Sequence, residues 1–401
     1  MRIGPDRKQH LTYCLNVHAG ESWQENLDAI RKYACDVRDQ VGVEEPFGLG
    51  LRLSAAAAEV LAAPAAIADF RGILDDLNLY VFTVNGFPYG TFHAAAVKEQ
   101  VYAPDWRRPE RVAYTNLLAH ILAELLPDGV DGSISTAPGS YKAWVRTDED
   151  RREIAENLLA VSCRLAQLAD ETGHEIHLGL EPEPDCLLET TDEVITFLSE
   201  DMARAMKPGG PVSEDVVRRH LGVCFDACHM ALQFENPAES VRRLTNAGVR
   251  ISKVQLSAAL RARGGGSLKE SLGAFADSVY LHQTRVKTED GNIQRFSDLP
   301  QALAETDLVL DRESEWRVHC HVPLYWQGEA GITSTSHAMD DSFFAAVEES
   351  GCTHLEMETY TFDVLPLPLR QRGIVASLVD EYGWFSARVG CKGLREGTSR
   401  R

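Results

Sequence analysis

IHLGLEPEP, residues 176–184, is an apolar run interrupted only by His177 before it ends in two carboxylates, and the rest of the chain reads outward from it. A strand buried on both faces shows continuous apolar residues rather than alternation, as in a parallel sheet covered by helices. The same design recurs downstream in GVCFDACH (222–229), RISKVQLS (250–257) and THLEMETYT (353–361). Upstream it recurs in LTYCLNVH (11–18), FGLGLRLS (47–54), LYVFTVNGF (79–87) and GSISTAP (132–138). Amphipathic stretches rich in Ala, Leu, Arg and Glu separate these runs and predict helices over 22–41, 55–77, 109–126, 148–173, 190–206 and 237–248. Ser22 followed by Glu25 three residues on is a capping-box pattern, and Pro64 opens a second segment within 55–77. Eight strands in regular alternation with helices predict an α/β fold of the (β/α)8 TIM-barrel type.

Residues 258–325 break the rhythm. They open on Arg263-Gly-Gly-Gly-Ser267, continue with VYLHQTRVK, turn at Asp290-Gly291 and return with NIQRFSDL, a β-hairpin pattern. RVHCHVPLY (317–325) is a ninth apolar run. This segment reads as a cap inserted between strands seven and eight of one domain spanning 11–385, with a polar, disordered tail at 386–401. Gly264 to Gly266 have no P-loop Lys behind them and read as a hinge or disordered loop.

The chain has 401 residues and a formal net charge of −20, with no clustered Lys and Arg to track a phosphate backbone, which argues against nucleic acid as a partner. Nine scattered Cys without a CxxC pair suit a reducing cytoplasm, and Cys224, Cys228 and Cys320 read as small buried hydrophobes. The first ten residues lack the apolar core of a signal peptide, and no apolar run is long enough to span a membrane.

Active sites of such barrels lie where the strands end at the C-terminal face. Those ends carry His18, Arg52, Asn85, Glu181, Glu183, Asp226, His229, Gln255, Glu356 and Glu358. Side chains two apart share a strand face, so Glu356 and Glu358 point the same way. Carboxylates that converge inside a barrel repel one another unless a cation or a shared proton holds them. A divalent ion resolves this, with Mn2+ or Zn2+ the first expectation and Mg2+ or Co2+ as alternatives. Arg52, Asn85, Phe87 and Trp106 are candidates for binding a substrate, with His18 as pocket lining or structure. Glu183 and Glu189 read as facing solvent or capping the next helix, and Asp226 could equally cap the turn that follows it.

LGLEPEPDCLLETTDE, CFDACH and LEMETYTF together resemble the motifs of the xylose-isomerase-like superfamily of sugar-phosphate isomerases and epimerases. The resemblance implies metal ligands at Glu181, Asp226 and Glu358, with His229 facing the substrate. It also implies a His ligand on strand seven, where this chain has Gln255. His319, His321 or His282 could take its place. Over about 11–370 the chain further resembles the metabolite-traffic protein EboE family, through LTYCLNVHAGESWQENL, KEQVYAPDWR, HLGLEPEPDCLLET and HLEMETYTFDVLP. That resemblance implies a bacterial gene cluster that processes or exports a secreted metabolite, with other cluster proteins as partners, and settles no reaction. A homodimer is the expected state for this barrel class. Three functions stay open. The first is proton transfer next to a carbonyl of a small polyol or keto metabolite, with Glu181 and Glu358 as base and acid. The second is a carrier that binds such a metabolite without turnover. The third is metal-dependent phosphodiester hydrolysis, which calls for more His ligands and a basic groove.

Overall fold

The structure is a computed structural model that describes residues 1–4, 6–87, 98–207, 209–210, 212–276, 280–362 and 365–390. A two-residue strand, β1 (Arg2–Ile3), pairs antiparallel with β2 (Gln9–Tyr13). Seven further parallel strands complete the barrel: β3 (Phe47–Arg52), β4 (Leu79–Asn85), β5 (Gly132–Thr136), β6 (Ile176–Leu180), β7 (Leu221–Asp226), β8 (Arg250–Leu256) and β14 (His354–Met357). They run in the order β2-β14-β8-β7-β6-β5-β4-β3, and a parallel bridge between Cys14 and Gly50 brings β3 back to the end of β2. The eight strands read from the sequence are thus the eight staves. Almost every residue in them is buried, which is why they read as continuous apolar runs.

The helices form where their end signals stand. Ser22 and Glu25 make a reciprocal capping box at the start of Trp23–Ala29, which continues through a π-turn, Ile30–Ala34, into Cys35–Val41. Pro64 is the first residue of the helix Pro64–Asp76. Several strands end sooner than their apolar runs suggest. β7 stops at Asp226 because that side chain accepts from the His229 N–H and caps a short helix, Ala227–Leu232. His229 therefore stands on a helical turn rather than a strand.

The insertion is more than a hairpin. β9 (Leu260–Arg263), β10 (Thr284–Lys287), β11 (Ile293–Phe296), β12 (Glu315–Val318) and β13 (Ile332–Ser334) form an antiparallel sheet in the order β11-β10-β12-β9-β13. The β10–β11 hairpin turns through Asp290 and Gly291. β13 carries the sheet past residue 325, and its three residues are too few to show an alternation. Only the first glycine of the run is packed: a Cβ on Gly264 would come within 1.9 Å of the Asp311 carbonyl oxygen, while Gly265 and Gly266 have open space around them.

The last helix, Ile374–Val389, runs past residue 385, and the polar tail from 391 on lies outside the described residues. This helix buries Glu381, whose Oε1 accepts from the Thr359 hydroxyl (2.7 Å) and the Leu324 N–H (3.1 Å), while Oε2 has no partner. Burial outweighs those two hydrogen bonds and pushes its pKa up from 4.5 to about 7. The folded chain then binds more protons than the unfolded chain between these values. Stability is therefore full below the unfolded value, falls as pH rises through the window, and is flat above it. Glu381→Gln is expected to remove that slope and to stabilise the protein at pH 8 by on the order of 3 kcal/mol. Urea unfolding at pH 5 and pH 8 measures it, and an unchanged pH slope in the variant would refute the assignment.

Candidate metal and active site

Glu181 follows the last residue of β6, and its N–H donates to the Thr136 carbonyl of the neighbouring strand. Glu358 follows β14 and is held in the same way by the Leu256 carbonyl. Asp226 ends β7 between them. Each of the three offers an oxygen within 4.8 Å of the other two, and all three side chains are buried. Glu358 Oε1 accepts from Asn16 Nδ2 (2.8 Å) and Asn85 Nδ2 (3.3 Å). Asp226 Oδ1 accepts from the His229 N–H (2.8 Å) and the Ser257 hydroxyl (2.9 Å). The second oxygens, Glu181 Oε2, Asp226 Oδ2 and Glu358 Oε2, are buried without a partner. Three orphaned carboxylate oxygens of one sign at one point are the donor set a hard divalent cation requires.

The electrostatics follow from that crowding. Burial, and then the charge of Asp226, pushes the pKa of Glu181 well above the usual carboxylate range. Burial and then Glu181 and Asp226 do the same to Glu358. At Asp226 burial also disfavours the charge, but the imidazoles of His229 and His321, the His229 N–H and the Ser257 hydroxyl outweigh it and hold the pKa low. The arrangement keeps one carboxylate ionised beside two that hold protons readily.

Glu356, two residues below Glu358, forms an ion pair with Lys253 at 2.6 Å inside the barrel. Gln255 is level with Asp226 in the β7–β8 register. Its Oε1 accepts from Cys224 Sγ (3.1 Å), and its Nε2 has no partner.

A cavity opens above the carboxylates. Arg52, Asn85, Phe87, His229 and His319 line it, together with Asn16, Glu183, Tyr280 and Tyr360. Two expected pocket residues lie elsewhere. Trp106 is fully buried, with its indole N–H donating to Thr136 Oγ1 (3.2 Å) and the Ala137 carbonyl (3.1 Å). His18 stacks on Tyr33 at 4.3 Å and pairs with the Tyr13 hydroxyl at 3.0 Å. His282 Nδ1 faces the His319 carbonyl at 2.9 Å, which places it behind His319 rather than beside the carboxylates.

Glu183 and Glu189 do not face solvent. The cap covers both, and helix Thr191–Thr196 is capped by Thr190 instead. Glu183 Oε1 accepts from the Tyr102 hydroxyl at 2.6 Å, and burial pushes its pKa up to about 8 against that bond. Glu189 is held by Lys142, Arg285 and Arg295, whose charges overcome its burial and lower its pKa. Arg285 and Arg295 belong to the cap strands, so only the tertiary fold reveals what these carboxylates face. Glu183, like Asn16, Tyr280 and Tyr360, lines the pocket without having been a sequence candidate for it; the one signal for Glu183 is its two-residue spacing from Glu181.

His319 and His321 follow β12 and bring imidazoles from the cap to the barrel mouth. His229 Nε2 lies 3.1 Å from His319 Nε2, which lies 3.2 Å from His321 Nε2. His, Cys and acidic side chains that could hold an ion group here as Asp226 with His229 and His321, as Glu183 with His229 and His319, and as Cys228 with His319 and His321.

Fold and site together define an α/β barrel with a buried carboxylate and imidazole centre at its mouth, able to hold a divalent cation. Solved structures similar to this chain include a zinc-bound protein and two that bear the names of sugar epimerases. The IolI protein with a bound zinc atom is 13% identical over 95% of this chain and 98% of that one, with a TM-score of 0.47. The 3-keto-D-glucoside 4-epimerase YcjR from E. coli is 13% identical over 94% and 99%, with a TM-score of 0.47. A D-tagatose 3-epimerase-like protein is 15% identical over 94% and 96%, with a TM-score of 0.46. At such identities none of them fixes the role of a side chain in this one. No family model matches the chain. No curated protein matches it either. Among the described residues no helix is long and apolar enough to cross a membrane, and the eight described cysteines are free.

Proposed function

We propose that this chain is a divalent-metal-dependent isomerase or epimerase that moves a proton next to a carbonyl of a small polyol or keto metabolite. The observation that carries the reading is the convergence of Glu181, Asp226 and Glu358 within 4.8 Å of one another, each with one buried oxygen without a hydrogen-bond partner, and with Glu181 and Glu358 lining the cavity. A cation held by these three, Mn2+ or Zn2+ by donor chemistry, supplies Lewis-acid polarisation of a substrate carbonyl. Glu181 and Glu358 hold and release a proton on either side of the reacting carbon, one as base and one as acid. Asn16 and Asn85 fix the orientation of Glu358. Arg52 offers a guanidinium to substrate oxygens, while Phe87 and Tyr360 shield the reacting carbon from water. The EboE-like motifs support a role in a cluster that processes or exports a secreted metabolite, with cluster proteins as partners, while the scattered cysteines support the cytoplasm and the barrel class supports a homodimer.

A carrier without turnover is the second reading. It is favoured by Gln255, which stands in place of the imidazole its relatives are expected to carry and whose amide oxygen is engaged by Cys224. One experiment separates the two. Polyols and keto sugars are incubated with the protein in deuterated buffer, alongside metal analysis of wild type, Glu181→Ala and Glu358→Ala. Metal-dependent deuterium incorporation that both variants abolish is the expected result. Tight ligand binding without incorporation would establish the carrier instead.

A further inference from the structure

The walls of the cavity differ in chemistry from its floor. At the floor, Asn16 and Asn85 both donate to Glu358, and Glu181 offers an oxygen within 4.8 Å of that carboxylate. The barrel supplies one wall from the chain that follows β4, through Phe87, Val101 and Tyr102. The other wall is Tyr280 and Leu281, just ahead of cap strand β10, with Tyr360, which follows β14. Neighbours hold these rings in place. Tyr102 stacks on Tyr141 at 5.7 Å and spends its hydroxyl on Glu183 at 2.6 Å. Phe87 packs in the same apolar cluster as Tyr102. Tyr280 and Tyr360 meet edge to face at 5.5 Å.

Charge narrows the ligand further. Among the described residues that line the cavity, the Lys and Arg side chains are Arg52 and Lys98. Arg52 pairs with Glu21 at 3.0 Å and donates to the Gly20 carbonyl at 3.2 Å, while Lys98 lies 3.7 Å from Asp298. Each cation thus already has a carboxylate partner that does not line the cavity. Against them stand three lining carboxylates, Glu181, Glu183 and Glu358. A phosphate ester calls for converging Arg or Lys side chains with their charge to spare. Here it would meet carboxylates instead. A bare polyol fits poorly for a different reason, because hydroxyls pressed against the aromatic walls lose water without gaining a hydrogen bond. An apolar ring buries its surface there and packs face or edge against the aromatic side chains.

We infer that the cavity takes an uncharged metabolite with two unlike ends: a polyol or keto head on the carboxylate floor, and an apolar, ring-bearing substituent against Phe87, Tyr102, Tyr280 and Tyr360. Sugar phosphates are not its substrates. Arg52, already neutralised by Glu21, serves a hydroxyl or carbonyl oxygen of the head. The inference deepens the proton-transfer reading by naming its substrate class. It rests on that reading only in taking the cavity as the ligand site, and it holds equally for a carrier.

Full-length protein in buffer containing Mn2+ is titrated with methyl and phenyl β-D-glucosides and β-D-galactosides and with the corresponding hexose 6-phosphates. Calorimetry and ligand-observed NMR follow the binding. The phenyl glycosides are expected to bind at least roughly 10-fold more tightly than their methyl partners, the scale on which an apolar pocket discriminates. The hexose phosphates are expected to bind no better than the methyl glycosides. Phe87→Ala and Tyr280→Ala are each expected to shrink the phenyl advantage. The inference is overturned if the phenyl glycosides bind no more tightly than the methyl ones, or if none binds at millimolar concentration. It is overturned as well if a phosphate binds more tightly than its phenyl counterpart, or if both variants keep the full advantage. Should a variant not fold, the wild-type comparison decides alone. Phenyl preference without deuterium incorporation into any polyol or keto sugar removes the proton-transfer reading and keeps the ligand class. Incorporation into unsubstituted sugars without phenyl preference does the reverse.

Discussion

Glu358→Gln is expected to slow solvent hydrogen exchange into the substrate by roughly 10²–10⁴-fold, the usual contribution of one positioned acid or base. The change is mild in shape. A glutamine oxygen can still accept from Asn16 and Asn85, which hold the native Oε1 at 2.8 and 3.3 Å. What disappears is the capacity to hold and release a proton. Glu181→Gln is expected to act similarly, because its carboxylate meets the same cavity from β6. If the two work as one base–acid unit, the double variant loses little more than either single one. Exchange rates taken with the substrate that emerges from the deuterium screen, together with metal content, measure all three. Near-normal exchange in Glu358→Gln would remove it from the chemistry. Asn85→Ala supplies a graded control, since it removes one orienting donor and leaves the carboxylate, so its effect should be well below that of Glu358→Gln.

The barrel and the carboxylate floor were legible because both arise from local pattern. A parallel strand buried on both faces is mostly apolar, and Glu181, Asp226 and Glu358 stand where such runs end. The imidazole cluster was legible only as a list of candidates. His229 and His319 are ninety residues apart, and what joins them is the docking of the cap. Arg317 of the cap donates to the Ala231 carbonyl at 2.6 Å, and Gln283 to the Pro184 carbonyl. Such contacts leave no periodicity in a sequence. The same docking buries Glu183 and Glu189, whose polar character alone suggested solvent. Trp106 lies outside the pocket lining for a related reason, and His18 takes the structural one of its two readings. Each sits beside a strand end, but its ring turns into the packing between elements. Distance from a strand end places a residue near the site without fixing where its side chain points.

Beneath the site, Glu356→Ala is expected to destabilise the protein by about 3–5 kcal/mol, the cost of leaving one buried charge without its partner. Lys253 and Glu356 are 1% and 0% exposed, and their Nζ–Oε2 distance is 2.6 Å. Burial works against the Lys253 ammonium, but Glu356 outweighs it and raises the pKa above the ordinary value, so the lysine stays charged. Gly50 makes room for the pair, because a Cβ there would lie 1.9 Å from Glu356 Oε1. Gly50→Ala should therefore be destabilising through the same contact. Replacing both partners by neutral side chains of similar length, Lys253→Met with Glu356→Gln, is expected to recover most of the loss, because neither charge is then taken out of water. Denaturant midpoints for the two single variants and the double one measure the coupling, and a Glu356→Ala loss below 1 kcal/mol would refute the pair's role. The pair also bears on the site above it. The Lys253 charge opposes the rise in pKa at both Glu181 and Glu358, while Glu356 adds to it. Glu356→Ala thus makes the carboxylate floor less negative, so it should weaken cation binding there even under conditions in which the chain stays folded. Lys253→Met should do the opposite and raise cation affinity while destabilising the fold. Opposite signs in affinity with the same sign in stability separate this electrostatic support from a general loss of structure.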